Sequence, residues 1–141
     1  MRILEAVENQ WPFNRFLYEF IGAARSWEDK LTWTPEQWAA YVGNDNVHTY
    51  VAYYGGAVAG YYELKMDKGN VEIVYFGLAQ QFIGKGLGGV MLTRAIEDGR
   101  SLGSERVWVH TCTLDHPAAL ENYKARGMSV YKTEVEDDRN E

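Results

Sequence analysis

Between Val71 and Ile96 the sequence passes from a β-branched and aromatic run, Val71-Glu-Ile-Val-Tyr-Phe-Gly-Leu-Ala79, through the turn Gln80-Gln-Phe-Ile-Gly-Lys85 into Gly86-Leu-Gly-Gly-Val-Met-Leu-Thr-Arg-Ala-Ile96. This predicts strand, glycine-rich turn and helix. Turn signals bound the first run, while Leu87, Met91, Ala95 and Leu92, Ile96 recur at helical spacing. Gly84, Gly86, Gly88 and Gly89 allow positive φ and a close approach of backbone to ligand. The first N–H groups of a helix have no intrahelical acceptor and lie at the positive end of its dipole, so the turn suits a pyrophosphate, with Lys85 as a mobile cation.

Several phosphate-binding architectures use such a turn. Gly84-x-Gly86-x-x-Gly89 formally fits a dinucleotide fingerprint, but that fold needs a series of βαβ units and an acidic residue at the end of the next strand. Here the next strand reads Trp108-Val-His-Thr-Cys112, with no acid, and hairpin-like strands come before the turn. A phosphate loop of the nucleotide-hydrolase type requires Gly-Lys-Ser/Thr after four variable residues, and none is present.

Upstream, Val47 to Tyr54 and Ala57 to Met66 flank Gly55-Gly56, a two-residue connection suited to a primed hairpin turn. Asp67 to Asn70 makes the next turn, so three antiparallel strands lead into the glycine turn. Met1 to Val7 is a stub of strand. After Pro12 and Asn14, the stripe Phe13, Phe16, Leu17, Phe20, Ile21 and Ala24 predicts an amphipathic helix with those side chains in the core. Ser26 to Trp33 is a polar, aromatic link. Thr34-Pro35-Glu36-Gln37 then starts a second helix with a capping box and proline in its first turn, running to about Val42 with Trp38, Tyr41 and Val42 inward.

Downstream, Arg106 to Thr111 is expected as a strand parallel to the Val71 strand, as a βαβ crossover demands. Asp115 or His116 caps a last helix, with Pro117 in its first turn. Met128 to Val135 reads as one final strand, and a charged tail from about 136 to 141 is expected to be mobile. His110 is either an acid–base candidate or a hydrogen-bonded core histidine.

The residues from about 47 to 131 resemble the GCN5-related N-acetyltransferases. That family carries Gln/Arg-x-x-Gly-x-Gly/Ala after its fourth strand, and the pattern falls here on Ile83-Gly-Lys-Gly86-Leu-Gly88, with Ile83 in the place of the usual Gln or Arg. Glu72-Ile-Val resembles the strand that bears the general base in the histone-acetylating branch. Tyr123-Lys-Ala-Arg-Gly127-Met128 resembles the family's Tyr-x-x-x-Gly-Phe.

The resemblance implies an α/β fold with a mixed sheet, in which antiparallel strands lead to a β-α-β acetyl-CoA unit whose parallel strands splay around the pantetheine arm. It implies acetyl-CoA as acyl donor, held by backbone at Phe76 and Leu78 and by Ile83, Gly84, Lys85, Gly86, Leu87 and Gly88. His116 stands where the family often places an Asn against the cofactor. A strand N–H near Leu78 would polarise the thioester. Glu72 would be the general base and Tyr123 the acid that protonates the leaving thiolate. The parity of the strand groups Glu72 with Val74 and Phe76, where burial would raise its pKa. Glu63 is the reserve base, and a solvent-facing or ion-paired acid is the other reading of Glu72. Because the link between the first two helices borders the acceptor pocket in this family, Trp27, Glu28 and Trp33 are candidates to hold a cationic primary amine, on a small molecule or a peptide, by charge and cation–π attraction. A non-catalytic acyl-CoA-binding module is the rival reading. Because relatives usually finish with one strand more, an open sheet edge and a homodimer covering it are also expected.

At 141 residues, 46% of them hydrophobic, the chain is expected to form one domain without needing a metal or disulfides. A net charge of -6 argues against nucleic acid as partner. The single Cys112, the lack of a secretion signal and the lack of an 18-residue apolar run point to a cytoplasmic protein with no membrane span.

Overall fold

The computed structural model describes residues 1–23, 27–110, 128–131 and 134–137. Among them, seven strands form one mixed sheet: β1 (Arg2–Glu5), β2 (Val47–Tyr54), β3 (Ala57–Asp67), β4 (Asn70–Leu78), β5 (Arg106–His110), β6 (Met128–Tyr131) and β7 (Glu134–Asp137), in the spatial order β1-β2-β3-β4-β5-β7-β6. Among the described residues three α-helices flank it: α1 (Trp11–Gly22), α2 (Pro35–Val42) and α3 (Leu87–Ser101). The α/β mixed sheet expected from the sequence is present, with β1 the four-residue stub.

Local chemistry explains most of these boundaries. Gly55 and Gly56 have φ of 59° and 82°, so β2 and β3 join through the two-residue turn that their twist requires. At the start of α2 the Thr34 hydroxyl accepts from the Gln37 N–H, and the Gln37 side chain accepts from the Thr34 N–H, which completes the capping box. Trp38 is buried and Tyr41 and Val42 are half-buried, as the pattern predicts.

Helix α1 is rotated from its expected setting. The buried residues are Asn14, Leu17, Tyr18, Ile21 and Gly22, whereas Phe16 and Phe20 are nearly half exposed. Polar partners decide this. Asn14 donates to the Thr49 hydroxyl at 2.9 Å, and the Tyr18 hydroxyl both donates to Asp29 and accepts from the Lys30 N–H. Those bonds need Asn14 and Tyr18 inward, which turns the Phe16 and Phe20 rings outward to stack on each other at 5.1 Å. Ala24 lies outside the described residues.

The end of the chain also differs from the expected single strand. Met128–Tyr131 and Glu134–Asp137 are two antiparallel strands, and β7 pairs with β5 through Trp108, Val109 and His110. No Gly, Asn or Pro between Met128 and Val135 marks the reversal; the polar run Lys132-Thr133-Glu134 is the sole break in the pattern. Glu136 and Asp137 belong to β7 rather than to a tail. β7 fills the place beside β5, and β6 is the edge strand on that side of the sheet.

Helices α1 and α3 pack on β3 and β4 from opposite faces. Gly99 of α3 touches β4 and β5 so closely that a Cβ there would fall 2.9 Å from Val107 Cγ2. None of the helices among the described residues is long and apolar enough to cross a membrane.

Candidate active site

Strand β4 carries an irregularity that sorts the site's side chains. Leu64 pairs with Ile73, but Glu63 pairs with Tyr75, so Val74 is the extra residue of a bulge. On its two sides the parity is opposite. Before the bulge Val71 faces α3, against Gly99. After it Phe76 faces α3, stacked with Tyr62, whose hydroxyl donates to Asp98 of that helix, while Tyr75 faces α1, edge-on to Tyr18.

Glu72, adjacent to Val71, therefore lies on the α1 face with its partner Lys65 and with Glu63, opposite to Phe76. The expected grouping of Glu72 with Phe76 fails for this reason. Its charge is felt by the Tyr41 hydroxyl on that same face. It is half-buried and lines a hollow of about 150 Å³ with Lys65, Asp67, Asn70, Arg106 and Trp108.

The parallel strands diverge as expected. Pairing joins Asn70, Val71 and Glu72 to Arg106, Val107 and Trp108, and no further among the described residues. Beyond it β4 still holds to β3, and Ala79 N–H donates to Ala59 O at 2.7 Å. Backbone groups alternate sides along a strand, so the N–H groups of Leu78 and Phe76 point away from β3, into the gap beside β5. Gly60 of β3 keeps this segment close, since a Cβ on it would sit 2.5 Å from Gly77 O.

The chain then reaches the glycine turn. A 3-10 turn, Gln80–Phe82, buries Phe82, and Gly84 and Gly86 follow with φ of 84° and 78°. Gly86 is the N-cap of α3 and no side chain caps that end among the described residues, an opening whose backbone donors and helix dipole suit an anion. A Cβ at either glycine would meet only open space. Ile83 is half exposed, Lys85 is exposed with Nζ 5.8 Å from the Phe82 ring centre, Leu87 is half-buried, and Gly88 lies against Leu78. The expected cofactor residues from Phe76 to Gly88 thus form one continuous path from gap to helix. His116 and Tyr123 lie outside the described residues, as do Cys112 and the helix expected after Asp115.

On the α1 face, the link between α1 and α2 presses into the sheet. Lys30 is 5% exposed, and its ammonium lies 3.6 Å from a Glu63 carboxylate oxygen, itself on a residue 3% exposed. Four rings surround that nitrogen: Tyr41 at 3.7 Å, Tyr75 at 4.4 Å, Trp33 at 4.9 Å and Trp38 at 5.6 Å from their centres. Tyr41 donates to the same Glu63 oxygen, Oε2, its hydroxyl 2.5 Å away. Asp29 accepts from the hydroxyls of both Tyr18 and Tyr75.

Burial governs the electrostatics here. Desolvation pushes the Glu63 carboxyl up and the Lys30 amine down, while the two charges oppose both shifts by attracting each other. Burial also pushes the Tyr41 and Tyr75 hydroxyls up, and lifts Tyr18 to about 12, so all three are donors at neutral pH.

Of the acceptor-side candidates, Trp33 is a wall of this cage, and Trp27 packs 4.9 Å from Tyr75 and 5.9 Å from Tyr18. Glu28 is exposed and lines a separate hollow with Tyr18, Glu19 and Leu31. The residues that sequence reasoning missed are Lys30, Tyr41 and Tyr75. A lysine inside an acidic, aromatic link was the available signal.

Comparison with known proteins agrees with this geometry. The family model described as "Acetyltransferase (GNAT) family" matches residues 5–128. Among solved structures, an aminoglycoside acetyltransferase from an uncultured soil metagenomic sample, in complex with sisomicin, superposes with a TM-score of 0.76 at 16% identity, covering 93% of this chain and 90% of that one. A Bacillus subtilis acetyltransferase in complex with CoA gives 0.69 at 24% identity over 92% and 77% of the two chains. The PaiA N-acetyltransferase of Thermoplasma acidophilum, in complex with coenzyme A, gives 0.67 at 15% identity over 97% and 99%. No curated protein sequence matches significantly.

Proposed function

The chain belongs to the acetyltransferase (GNAT) family, an acyltransferase with acetyl-CoA as its donor, and from that premise we propose that it acetylates a primary amine by direct attack within a ternary complex. What supports an amine as acceptor is the acidic, aromatic α1 face of the sheet, where Glu72 lies beside Glu63 and the rings of Tyr41, Tyr75, Trp33 and Trp38 already hold one ammonium, that of Lys30. A cation over an aromatic face gains about 0.5–2 kcal/mol per contact, most where water is excluded.

The pyrophosphate of the donor would lie on the N–H groups that open α3, between Gly84, Gly86 and Gly88, with Lys85 reaching over it and Ile83 and Leu87 flanking it. The pantetheine arm would run along the gap, bonded to the backbone of Leu78 and Phe76. Of these two N–H groups, that of Phe76 suits the thioester carbonyl. At about 3.3 Å per strand residue Leu78 is roughly 20 Å from Glu72, too far for that carboxylate to serve an amine attacking there. Phe76 lies next to Tyr75, the partner of Glu63.

Chemistry then needs a neutral amine, a polarised carbonyl and a protonated leaving group. Glu72 takes the amine's proton through a water, the Phe76 N–H stabilises the developing oxyanion, and Tyr123 protonates the departing thiolate. Most of the acceleration would come from holding donor and acceptor in line. Trp27 and Glu28 would border the path by which the acceptor arrives. The reading suits a cytoplasmic location, the reducing compartment that a single cysteine favours.

The acceptor class is tested by measuring CoA release from acetyl-CoA against a panel of aminoglycosides, polyamines, free lysine and peptide N-termini, with alcohols of similar size as controls. Release stimulated only by alcohols, or by none of the amines, would refute it.

A further inference from the structure

Lys30 presents the protein's own amine at the place where the acceptor amine is expected, and we infer that Lys30 is a self-acetylation site, modified by acetyl-CoA bound to the same chain. The inference rests on the reading that acetyl-CoA occupies the β4–β5 gap.

Position is the first ground. Lys30 Nζ is 3.6 Å from Glu63 and 4.4 Å from the centre of the Tyr75 ring, and these two residues face each other across β3 and β4. Tyr75 immediately precedes Phe76, whose N–H faces the gap. The amine therefore lies at the level of the strand where the acetyl group is to be held, and on the α1 face, to which the proposed function brings the acceptor.

Chemistry is the second ground. A lysine reacts as the free amine, and burial lowers the pKa of this one, with Glu63 and Asp29 acting the other way and Lys65 reinforcing the drop. In the transfer, the Lys30 nitrogen lone pair attacks the thioester carbon, the N–C bond forms and the C–S bond breaks. The nitrogen's proton passes to the Glu63 carboxylate and from there to the thiolate, leaving acetyl-lysine and free CoA.

The positioning is built rather than incidental. Asp29, the preceding residue, accepts from Tyr18 and Tyr75, and the Lys30 N–H donates to the Tyr18 hydroxyl at 3.1 Å, so the backbone that carries Lys30 is tied to α1 and to β4. A surface lysine paired for solubility would have none of these ties. Lys65, Lys68 and Lys85, by contrast, are exposed.

The test incubates the full chain with acetyl-CoA and no acceptor, over a tenfold range of protein concentration, and reads the occupancy of each lysine by peptide mass spectrometry. A parallel sample receives limiting acetic anhydride, which ranks lysines by exposure. The expected result is that acetyl-CoA modifies Lys30 ahead of Lys65, Lys68 and Lys85, at a first-order rate independent of protein concentration, while the anhydride modifies Lys30 last. Lys30→Arg keeps the charge in the cage and should lose this modification alone. An unmodified Lys30, a Lys30 that lags the exposed lysines, or a rate that scales with protein concentration would each overturn the inference. The same preparation is assayed with the amine panel. CoA release with an amine beside an unmodified Lys30 refutes self-acetylation only, whereas no release and no modification refutes the acetyl-transfer reading and this inference together.

Discussion

Glu72 and Trp108 form the last rung that β4 shares with β5, and the two parallel strands part immediately beyond it. The carboxylate is thus borne at the closed end of the gap, on the same sheet face as Glu63 and one bulge away from Tyr75. Two acids on one face divide the work by environment. Glu63 is buried and bonded to Lys30 and Tyr41, whereas Glu72 is half-buried beside a hollow large enough for water.

Replacing Glu72 by Gln keeps the shape and removes the proton acceptor. We expect kcat to fall by about 10²-fold or more at neutral pH, the usual range for a positioned general base, and to recover in part as pH rises and free amine accumulates. Steady-state pH–rate profiles of both proteins check this. A mutant profile that matches the wild type would move the role to Glu63 or to solvent.

Cofactor binding is measurable without turnover. Acetyl-CoA at 100 times its dissociation constant should stabilise the fold by about 2.7 kcal/mol by mass action, visible as a thermal shift that NADH does not produce. Gly86 has φ of 78°, so Gly86→Val should cost about 1–3 kcal/mol in the unliganded protein through backbone strain. It should also abolish the shift, because the new side chain enters space that is open above the turn. A normal acetyl-CoA shift in Gly86→Val would place the pyrophosphate elsewhere.

How much of this was legible in the sequence depends on where the signal is stored. The hairpin at Gly55-Gly56, the turn at Lys68-Gly69, the capping box at Thr34 and the glycine turn before α3 are each written in adjacent residues, and each is where the sequence puts it. The bulge at Val74 is not, since a β-branched residue with no neighbouring Gly or Pro gives no sign of it. Counting by twos from Glu72 therefore assigns it to the face of Phe76, and the cage on the other face stays hidden. The rotation of α1 is likewise decided by partners distant in sequence, Asn14 with Thr49 and Tyr18 with Asp29. Hydrophobic periodicity favours the Phe13, Phe16, Phe20 stripe and cannot register bonds of that kind.

Tyr123, matched to its role by the Tyr-x-x-x-Gly pattern, is separable from a packing tyrosine by Tyr123→Phe, which deletes the hydroxyl and keeps the ring. A phenol has an unperturbed pKa of about 10 against about 8.5 for a thiol, so it gives up a proton to a thiolate only when the site holds the two together. As the acid, its loss should lower kcat by about 10-fold to 10³-fold with acetyl-CoA affinity nearly intact, and by less with an acyl donor whose thiol is more acidic. Equal kcat where chemistry limits the rate would remove Tyr123 from the mechanism.

The Lys30–Glu63 pair makes a prediction about stability that runs in opposite directions for its two members. Removing one partner of a buried ion pair typically costs about 3–5 kcal/mol, because the other charge is left without compensation. Lys30→Met leaves Glu63 in an aromatic cage with only the Tyr41 hydroxyl, and its folded pKa, already raised by burial, should rise further. A raised pKa contributes stability that is complete below the unfolded value and is lost as pH climbs through the folded one, so Lys30→Met should be less destabilised at pH 5 than at pH 8. Glu63→Gln retains an acceptor for Tyr41 but strips Lys30 of its main counter-charge, and the folded pKa of that amine, already lowered by burial, should fall further. A lowered pKa contributes stability that is present above the unfolded value and is lost as pH drops through the folded one, so Glu63→Gln should be less destabilised at pH 9 than at pH 7. Denaturant unfolding of both variants and of the double variant, across this pH range, reads the slopes directly. The double variant, with no charge left to bury, should be more stable than either single one. Parallel slopes for the two single variants, each matching the wild type, would mean that neither charge is buried as described.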